Sequence, residues 1–153
     1  MEENKIIIED NNNVETMSGN GAIFDFLYAE AEKPKEVEIK ISTRIPYKFK
    51  VRPLTLEEHK EFQKKATKMN IVGKKKEMKF DIMSYHVDSA IACCIEPNFK
   101  DSNNIKKANC ITPEMLLSKL LLPGEIIELG TRISEISGFD DNINDEIEEA
   151  KNY

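Results

Sequence analysis

One stretch of the sequence, FDIMSYHVDSAIACCIE at residues 80–96, constrains the fold more than any other. Between Ala90 and Ile95, apolar residues point to every side of a helix drawn through them. A helix that is apolar all round is stable only when other elements bury it. We therefore predict that the 80–96 helix is the most buried element of the fold and that Pro97 ends it.

A second helix is predicted within LLLPGEIIELGTRISEISGF, residues 120–139. Pro123 suits the first turn of a helix, where a backbone N–H would have no partner, and Gly138 suits the left-handed position that follows a helix end. At about 100° per residue, one stripe carries the apolar residues that we expect in the core, which are Ile126, Leu129, Ile133 and Ile136. Ile127 points about 140° away from the centre of this stripe, by the same spacing.

Two short segments with strict alternation predict a β-hairpin. EVEIKIS (36–42) and YKFKVR (47–52) each place apolar residues on one side and charges on the other. For both apolar sets to share a face, the numbers of paired residues must sum to an even value, so the loop has three or five residues. Glu38 then lies opposite Arg52 in the first register or Lys50 in the second.

Three other helices are predicted. The first lies at 21–33 and ends before Pro34, and the second lies at 55–69, where Thr55 and Glu58 have the spacing of a capping box. The third starts at Thr112, which caps it, with Pro113 in its first turn. Residues 70–80 are typical of a loop or a second hairpin, and residues 97–110 of a polar loop.

Together these elements predict an α+β fold, with a small antiparallel sheet on the 36–42/47–52 hairpin packed against four or five helices. Composition predicts the domain organisation. We expect a flexible acidic arm at residues 1–20, a single domain at residues 21–139 and an acidic C-terminal tail at residues 140–153.

Charge is unevenly distributed along the 153 residues, although the net charge is only −6. Residues 1–32 have eight acids against one lysine, a net of −7, and residues 140–153 have six acids against one lysine, a net of −5. Residues 60–79 have eight lysines against two glutamates, a net of +6. The overall acidity argues against a nucleic-acid-binding protein, and the lysine-rich segment lacks a platform of aromatic residues for stacking bases.

Several features predict a protein that stays in the cytoplasm of the cell that makes it. No run of 18 apolar residues is present to cross a membrane. The N-terminus MEENKIIIEDNNN has acids where a secretory signal has positive charge. Three cysteines form no disulfide framework, as expected in a reducing compartment.

The residues that most often perform chemistry show no catalytic or metal-binding pattern. His59 has no second histidine four residues away, so the helical zinc-protease motif is absent. His86 and Cys93 share a helix face, but the C-x-x-C spacing of a zinc site is missing. The glycines do not form a phosphate-binding loop. We predict no catalytic residue, no metal and no cofactor.

Three segments resemble the XkdN-like tail assembly chaperones of phages and phage-derived contractile particles. They are VRPLTLEEHKEF (51–62), DSAIACCIEPNFKD (88–101) and LLPGEIIELGTRISEISGFD (121–140), and the resemblance covers about residues 36–140. It implies a non-enzymatic assembly factor of a bacterial host's cytoplasm. Such a factor is expected to keep the tape measure protein soluble while the tail tube forms, with the tail tube protein as a second candidate partner.

A chaperone of this kind needs an apolar surface for its partner. We predict that Leu117, Leu121 and Ile127 contribute to a surface that meets a client or another copy of the chain. Packing of these leucines in the core is the competing interpretation. Two other functions remain open at this point: a structural subunit of the tail particle and a small nucleic-acid-binding regulator.

Overall fold

The computed structural model describes residues 19–139, together with two short strands nearer the N-terminus, at 7–9 and 15–17. The predicted tail at 140–153 and most of the predicted arm at 1–20 lie outside the described residues. Helices and small antiparallel sheets make up the described part, which confirms the predicted α+β class.

The chain divides into two compact units between Lys35 and Glu36. In the first unit, β1 (Ile7–Glu9) pairs antiparallel with β2 (Glu15–Met17). The helix α1 (Asn20–Glu32) follows where a helix was predicted. α1 belongs to the same compact unit as β1 and β2. The predicted domain boundaries stay a prediction.

The second unit begins with the predicted hairpin. β3 (Val37–Ile39) pairs antiparallel with β4 (Phe49–Val51) in the even-sum register that the alternation requires. Glu38 lies opposite Lys50, which is the second of the two predicted registers. Both strands are shorter than predicted, and residues 40–48 connect them. The longer connection forms because side chains within it bind a distant helix, as described below.

The helix α2 (Leu56–Ala66) begins at the predicted capping box, formed by Thr55 with the third residue of the helix. It ends three residues earlier than predicted, because Thr67 starts a strand instead of another turn. β5 (Thr67–Val72) pairs antiparallel with β6 (Lys75–Phe80), which confirms the hairpin alternative for this segment.

The helix α3 (Ile82–Cys93) is the central helix of this unit. Half of its residues are buried, namely Tyr85, His86, Ser89, Ala90, Ile91 and Cys93. The prediction of a helix up to residue 96 was wrong. Cys94–Glu96 form β7, because β4 offers these residues an antiparallel backbone partner.

Three helices complete the described chain. The segment predicted as a polar loop contains α4 (Ser102–Lys107), which Asp101 caps through its carboxylate and which buries Ile105 against the core. The helices α5 (Pro113–Leu120) and α6 (Pro123–Ile136) begin as predicted, each with proline in the first turn.

The main hydrophobic core lies between the three-stranded sheet and the helices α3 to α6. Leu129 and Ile133 of α6 are completely buried, which confirms their predicted place in the core. A smaller cluster forms where α2, α3 and the base of the second hairpin meet, and it contains Phe62, Ala66, Phe80 and Tyr85.

Two ion pairs each join a residue of the first hairpin to a helix. Arg44, in the β3–β4 connection, donates to both oxygens of Glu125 at 3.0 and 2.6 Å, and the Ser42 hydroxyl donates to the same carboxylate at 2.6 Å. Arg52 at the end of β4 donates to both oxygens of Glu58 on α2 at 2.9 Å. Hydrogen bonds from the arginines hold the pKa of each carboxyl at about 2.

Candidate partner-binding surface

The three residues proposed from the sequence as a docking surface lie in different environments. Leu117 on α5 is completely buried and Leu121, directly after α5, is 6% exposed, so both belong to the main core. Their expected position on the surface was wrong, because α5 packs these side chains inward, towards α3 and the rest of the core. Ile127 on α6 is 43% exposed. It is the one member of the set at the surface, and its role in binding stays a prediction.

The β5–β6 hairpin presents a different exposed surface. Its two central residues are Gly73 and Lys74, and the positive φ of Gly73 is typical of the tight turn that joins antiparallel strands. Side chains alternate between the two faces of each strand, and residues directly opposite share a face. Because Met69 lies opposite Met78, these two side chains and Ile71 share one face.

We call Met69, Ile71 and Met78 the apolar hairpin face. These side chains are 58%, 70% and 58% exposed, respectively. Phe80 continues the face at the base of the hairpin, where it is buried in the smaller cluster. The hairpin is thus anchored at its base and extends an apolar ribbon beyond the core. The alternation of Met78 and Phe80 is visible in the sequence, but the matching alternation in β5 was obscured because residues up to Met69 also fit a helical stripe.

The opposite face of the same hairpin is basic. Lys68 lies opposite Lys79, and Lys75 lies opposite Val72. Glu77 is the single acid of the hairpin. We call this side the basic hairpin face. The predicted lysine-rich segment is therefore partly a strand surface. Most of its strand charge lies on the face opposite the apolar one, while Lys76 lies opposite Ile71 on the apolar face.

The first unit contains a second exposed apolar surface, on α1. None of its helix residues is buried, and its large apolar side chains are 46–64% exposed. The rings of Phe24 and Tyr28 stack one turn apart, with centroids separated by 5.7 Å. Apolar side chains so exposed on one short helix are typical of a surface that contacts another protein.

A cavity of about 450 Å³ lies beside α4 and α5. Its lining is mainly apolar, and the lysines Lys107 and Lys119 also line it. Phe99, Leu116 and Leu120 supply large apolar side chains to its wall. Convergent acids, histidines or cysteines are not among its lining residues, so the cavity offers a contact surface and no evident chemistry.

The histidines serve packing. His59 Nδ1 lies 2.7 Å from the Tyr85 hydroxyl, and burial lowers the pKa of this histidine. His86 is 5% exposed, and burial lowers its pKa to about 4, so it is neutral at pH 7. A Cβ atom on Gly130 of α6 would lie only 2.2 Å from His86 Nδ1, which shows how closely α3 and α6 approach.

The buried cysteine pair, Cys93 and Cys94, is chemically quiet. Burial raises the pKa of both thiols to about 12, so they stay protonated. Across the described part of the chain, no three His, Cys, Asp or Glu side chains are placed to hold a metal ion together.

Comparison with known families shows which family the chain belongs to. A family model described as phage XkdN-like tail assembly chaperone protein matches residues 23–151. This chain belongs to that family. The resemblance seen in the sequence is thereby confirmed. In an XkdN-like chaperone, the exposed apolar surfaces described above are the natural candidates for contact with other proteins.

Two proteins of Bacillus subtilis (strain 168) are similar to this XkdN-like chain. The uncharacterized protein YqbN is 28% identical over 147 residues, which are 87% of this chain and 97% of YqbN. The protein XkdN of the phage-like element PBSX is 28% identical over 136 residues, which are 83% of this chain and 91% of XkdN. A crystal structure of YqbN shares the fold, with a TM-score of 0.56 at 20% identity, over 74% of this chain and 95% of that one.

Among the residues that the structure describes, no helix combines the length and the apolar character needed to span a bilayer.

Proposed function

We propose that this protein is a non-enzymatic chaperone of the bacterial cytoplasm that binds the tape measure protein during assembly of a contractile phage tail or phage-like particle. Membership of the XkdN-like family supports a role in tail assembly. The finer assignment to the tape measure protein rests on the family resemblance of the sequence.

The observation that carries the proposal is the apolar hairpin face. Three large side chains that are more than half exposed lie side by side on one ribbon. Exposed apolar ribbons are unfavourable in water unless a partner covers them for part of the time. Methionine side chains adapt to differently shaped partners, which suits a chaperone that holds a long client at many places.

Co-expression with the tape measure protein of the same phage or phage-like particle tests the proposal. The tagged full chain should retain the tape measure protein through purification. Ile71→Ser should weaken this association by about fivefold or more, the loss expected for a side chain at the centre of an interface. Val72→Ser is the matched control, because Val72 is 63% exposed on the opposite face of the same hairpin.

Both variants should melt like the wild-type protein, since substitutions at exposed positions change stability little. A wild-type chain that fails to retain the tape measure protein would overturn the proposed function. Stoichiometric amounts of the chain in purified tails would instead favour a structural subunit. Equal retention by Ile71→Ser and Val72→Ser would place the client surface elsewhere, with Ile127 and α1 as the next positions to substitute.

A further inference from the structure

The β5–β6 hairpin has positive charge that no carboxylate in the described part of the chain pairs with. Residues 67–80 contain five lysines and one glutamate, a net of +4. Lys68 lies directly opposite Lys79, and like charges in this arrangement repel. Ion pairs between described residues involve other cations. The hairpin thus combines an apolar face with charge that favours an acidic ligand.

The sequence that follows the described residues has the complementary chemistry. Residues 140–153 read DDNINDEIEEAKNY, with six acids and one lysine. On a helix, Ile143, Ile147 and Ala150 would share one stripe, and acids would occupy most of the remaining circumference. An acidic segment with one apolar stripe fits an apolar face that also carries Lys76, opposite Ile71, on a hairpin with a net charge of +4.

Phe139, the last described residue before this segment, is linked to the base of the hairpin by a chain of aromatic contacts. The ring centroid of Phe139 is 4.7 Å from that of His59, which is 5.8 Å from that of Tyr85. The Tyr85 ring is 5.9 Å from that of Phe80, the last residue of β6. The rings of Phe139 and Phe80 are therefore at most about 17 Å apart.

The length of the segment is sufficient to cover the hairpin. Its 14 residues would extend about 21 Å as a helix and up to about 48 Å as an extended chain. A six-residue strand is about 20 Å long. In extended form, in which Ile143 and Ile147 also share one side, the segment can therefore reach the hairpin base from Phe139 and still run along the ribbon towards its tip.

We infer that residues 140–153 dock on the apolar hairpin face of the same molecule, with the apolar stripe on the exposed methionines and isoleucine and the acids near Lys76, which shares that face. Because the segment is tethered close by, its effective concentration is high and a weak contact suffices. Docking keeps the apolar ribbon covered in the free protein. A partner that binds the same face has to displace the segment, which lowers its apparent affinity.

Methionine-methyl NMR of the full chain tests this inference directly, because Met69 and Met78 are themselves part of the face. The wild-type chain is compared with the double variant Ile143→Ser/Ile147→Ser, which removes the apolar stripe of the segment. We expect the two hairpin methionine signals to shift in the double variant. High salt should move the wild-type signals in the same direction, because it screens the attraction between acids and lysines.

The internal control is Met115 on α5, outside the hairpin, which should keep its position. Asn142→Ser/Asn144→Ser is the matched control in the segment and should leave all signals unchanged. Unchanged hairpin methionine signals in the apolar double variant would overturn the inference. A shift that disappears when the wild-type protein is diluted would also overturn it, because the segment would then be docking on a second copy of the chain.

Discussion

Replacing Gly130 by alanine probes the closest contact between α3 and α6. A Cβ atom at this position would lie 2.2 Å from Nδ1, 2.5 Å from Cγ and 2.7 Å from Cβ of His86. Heavy atoms of packed groups are ordinarily about 3.5–4.0 Å apart, so His86 has to move. Its Cβ is attached directly to the backbone of α3, and a change of rotamer cannot remove that overlap. The two helices must therefore separate.

Two effects of opposite sign decide the magnitude. Adding a methyl group to a well-packed core costs about 1–3 kcal/mol, and the rigid overlap with the His86 Cβ places this substitution at the upper end. Alanine is favoured over glycine in a helix by about 0.8–1.0 kcal/mol. The net loss in the free energy of unfolding is therefore about 2 kcal/mol, which for a chain of this size lowers the melting temperature by about 4–8 °C.

Thermal and urea unfolding, followed by far-ultraviolet circular dichroism, measure this loss. Gly124→Ala is the matched control on the same helix, because no atom lies within 4 Å of the Cβ that it adds. That control should be neutral or slightly stabilised. If Gly130→Ala is as stable as the wild-type protein, α3 and α6 do not approach each other this closely at Gly130 and His86.

Three further predictions address the core, an ion pair and the thiols. Leu121→Lys should lower the melting temperature strongly because it buries a charge in the core, whereas Ile127→Lys should melt like the wild type; equal thermal melts would contradict the burial described here. The pKa of Glu58 is lowered from 4.5 to about 2, chiefly by the hydrogen bond from its arginine partner, so its contribution to stability is complete above about pH 4.5 and is lost as the pH falls towards 2. Glu58→Gln should therefore reduce the slope of unfolding free energy against pH in that window, measured by urea titration, and an unchanged slope would count against the ion pair. Iodoacetamide should label the partly exposed Cys110 in the folded protein and the buried cysteine pair only after unfolding, as read by mass spectrometry; equal labelling of all three thiols in the folded protein would contradict the burial.

Local signals in the sequence were sufficient to predict most helix starts and the first hairpin. The capping box at Thr55 formed as predicted, because its two hydrogen bonds involve residues of a single turn. Prolines placed the starts of α5 and α6, since proline fits the first turn of a helix without losing a hydrogen bond. The alternation in β3 and β4 constrained the register, because one face of this hairpin is buried.

Elements that depend on a distant partner were predicted less well. Cys94–Glu96 continue the apolar pattern of α3, yet they form a strand because β4 supplies a backbone partner. The short helix α4 arises in a polar stretch, where the core accepts Ile105 and Asp101 provides a cap. Neither β4 nor the core that surrounds Ile105 can be recognised from residues that are neighbours in the chain.

Helical spacing in the sequence is sufficient to specify that Leu129 and Ile133 share one side of α6 and that Ile127 departs from it. Tertiary structure alone decided that Leu117 and Leu121 face the core, because this depends on how α5 packs within the rest of the unit. It likewise decided that Gly130 is the point where α6 touches His86. Helical and strand periodicity specifies which side chains share a face, whereas the packing of the folded chain specifies which faces are covered.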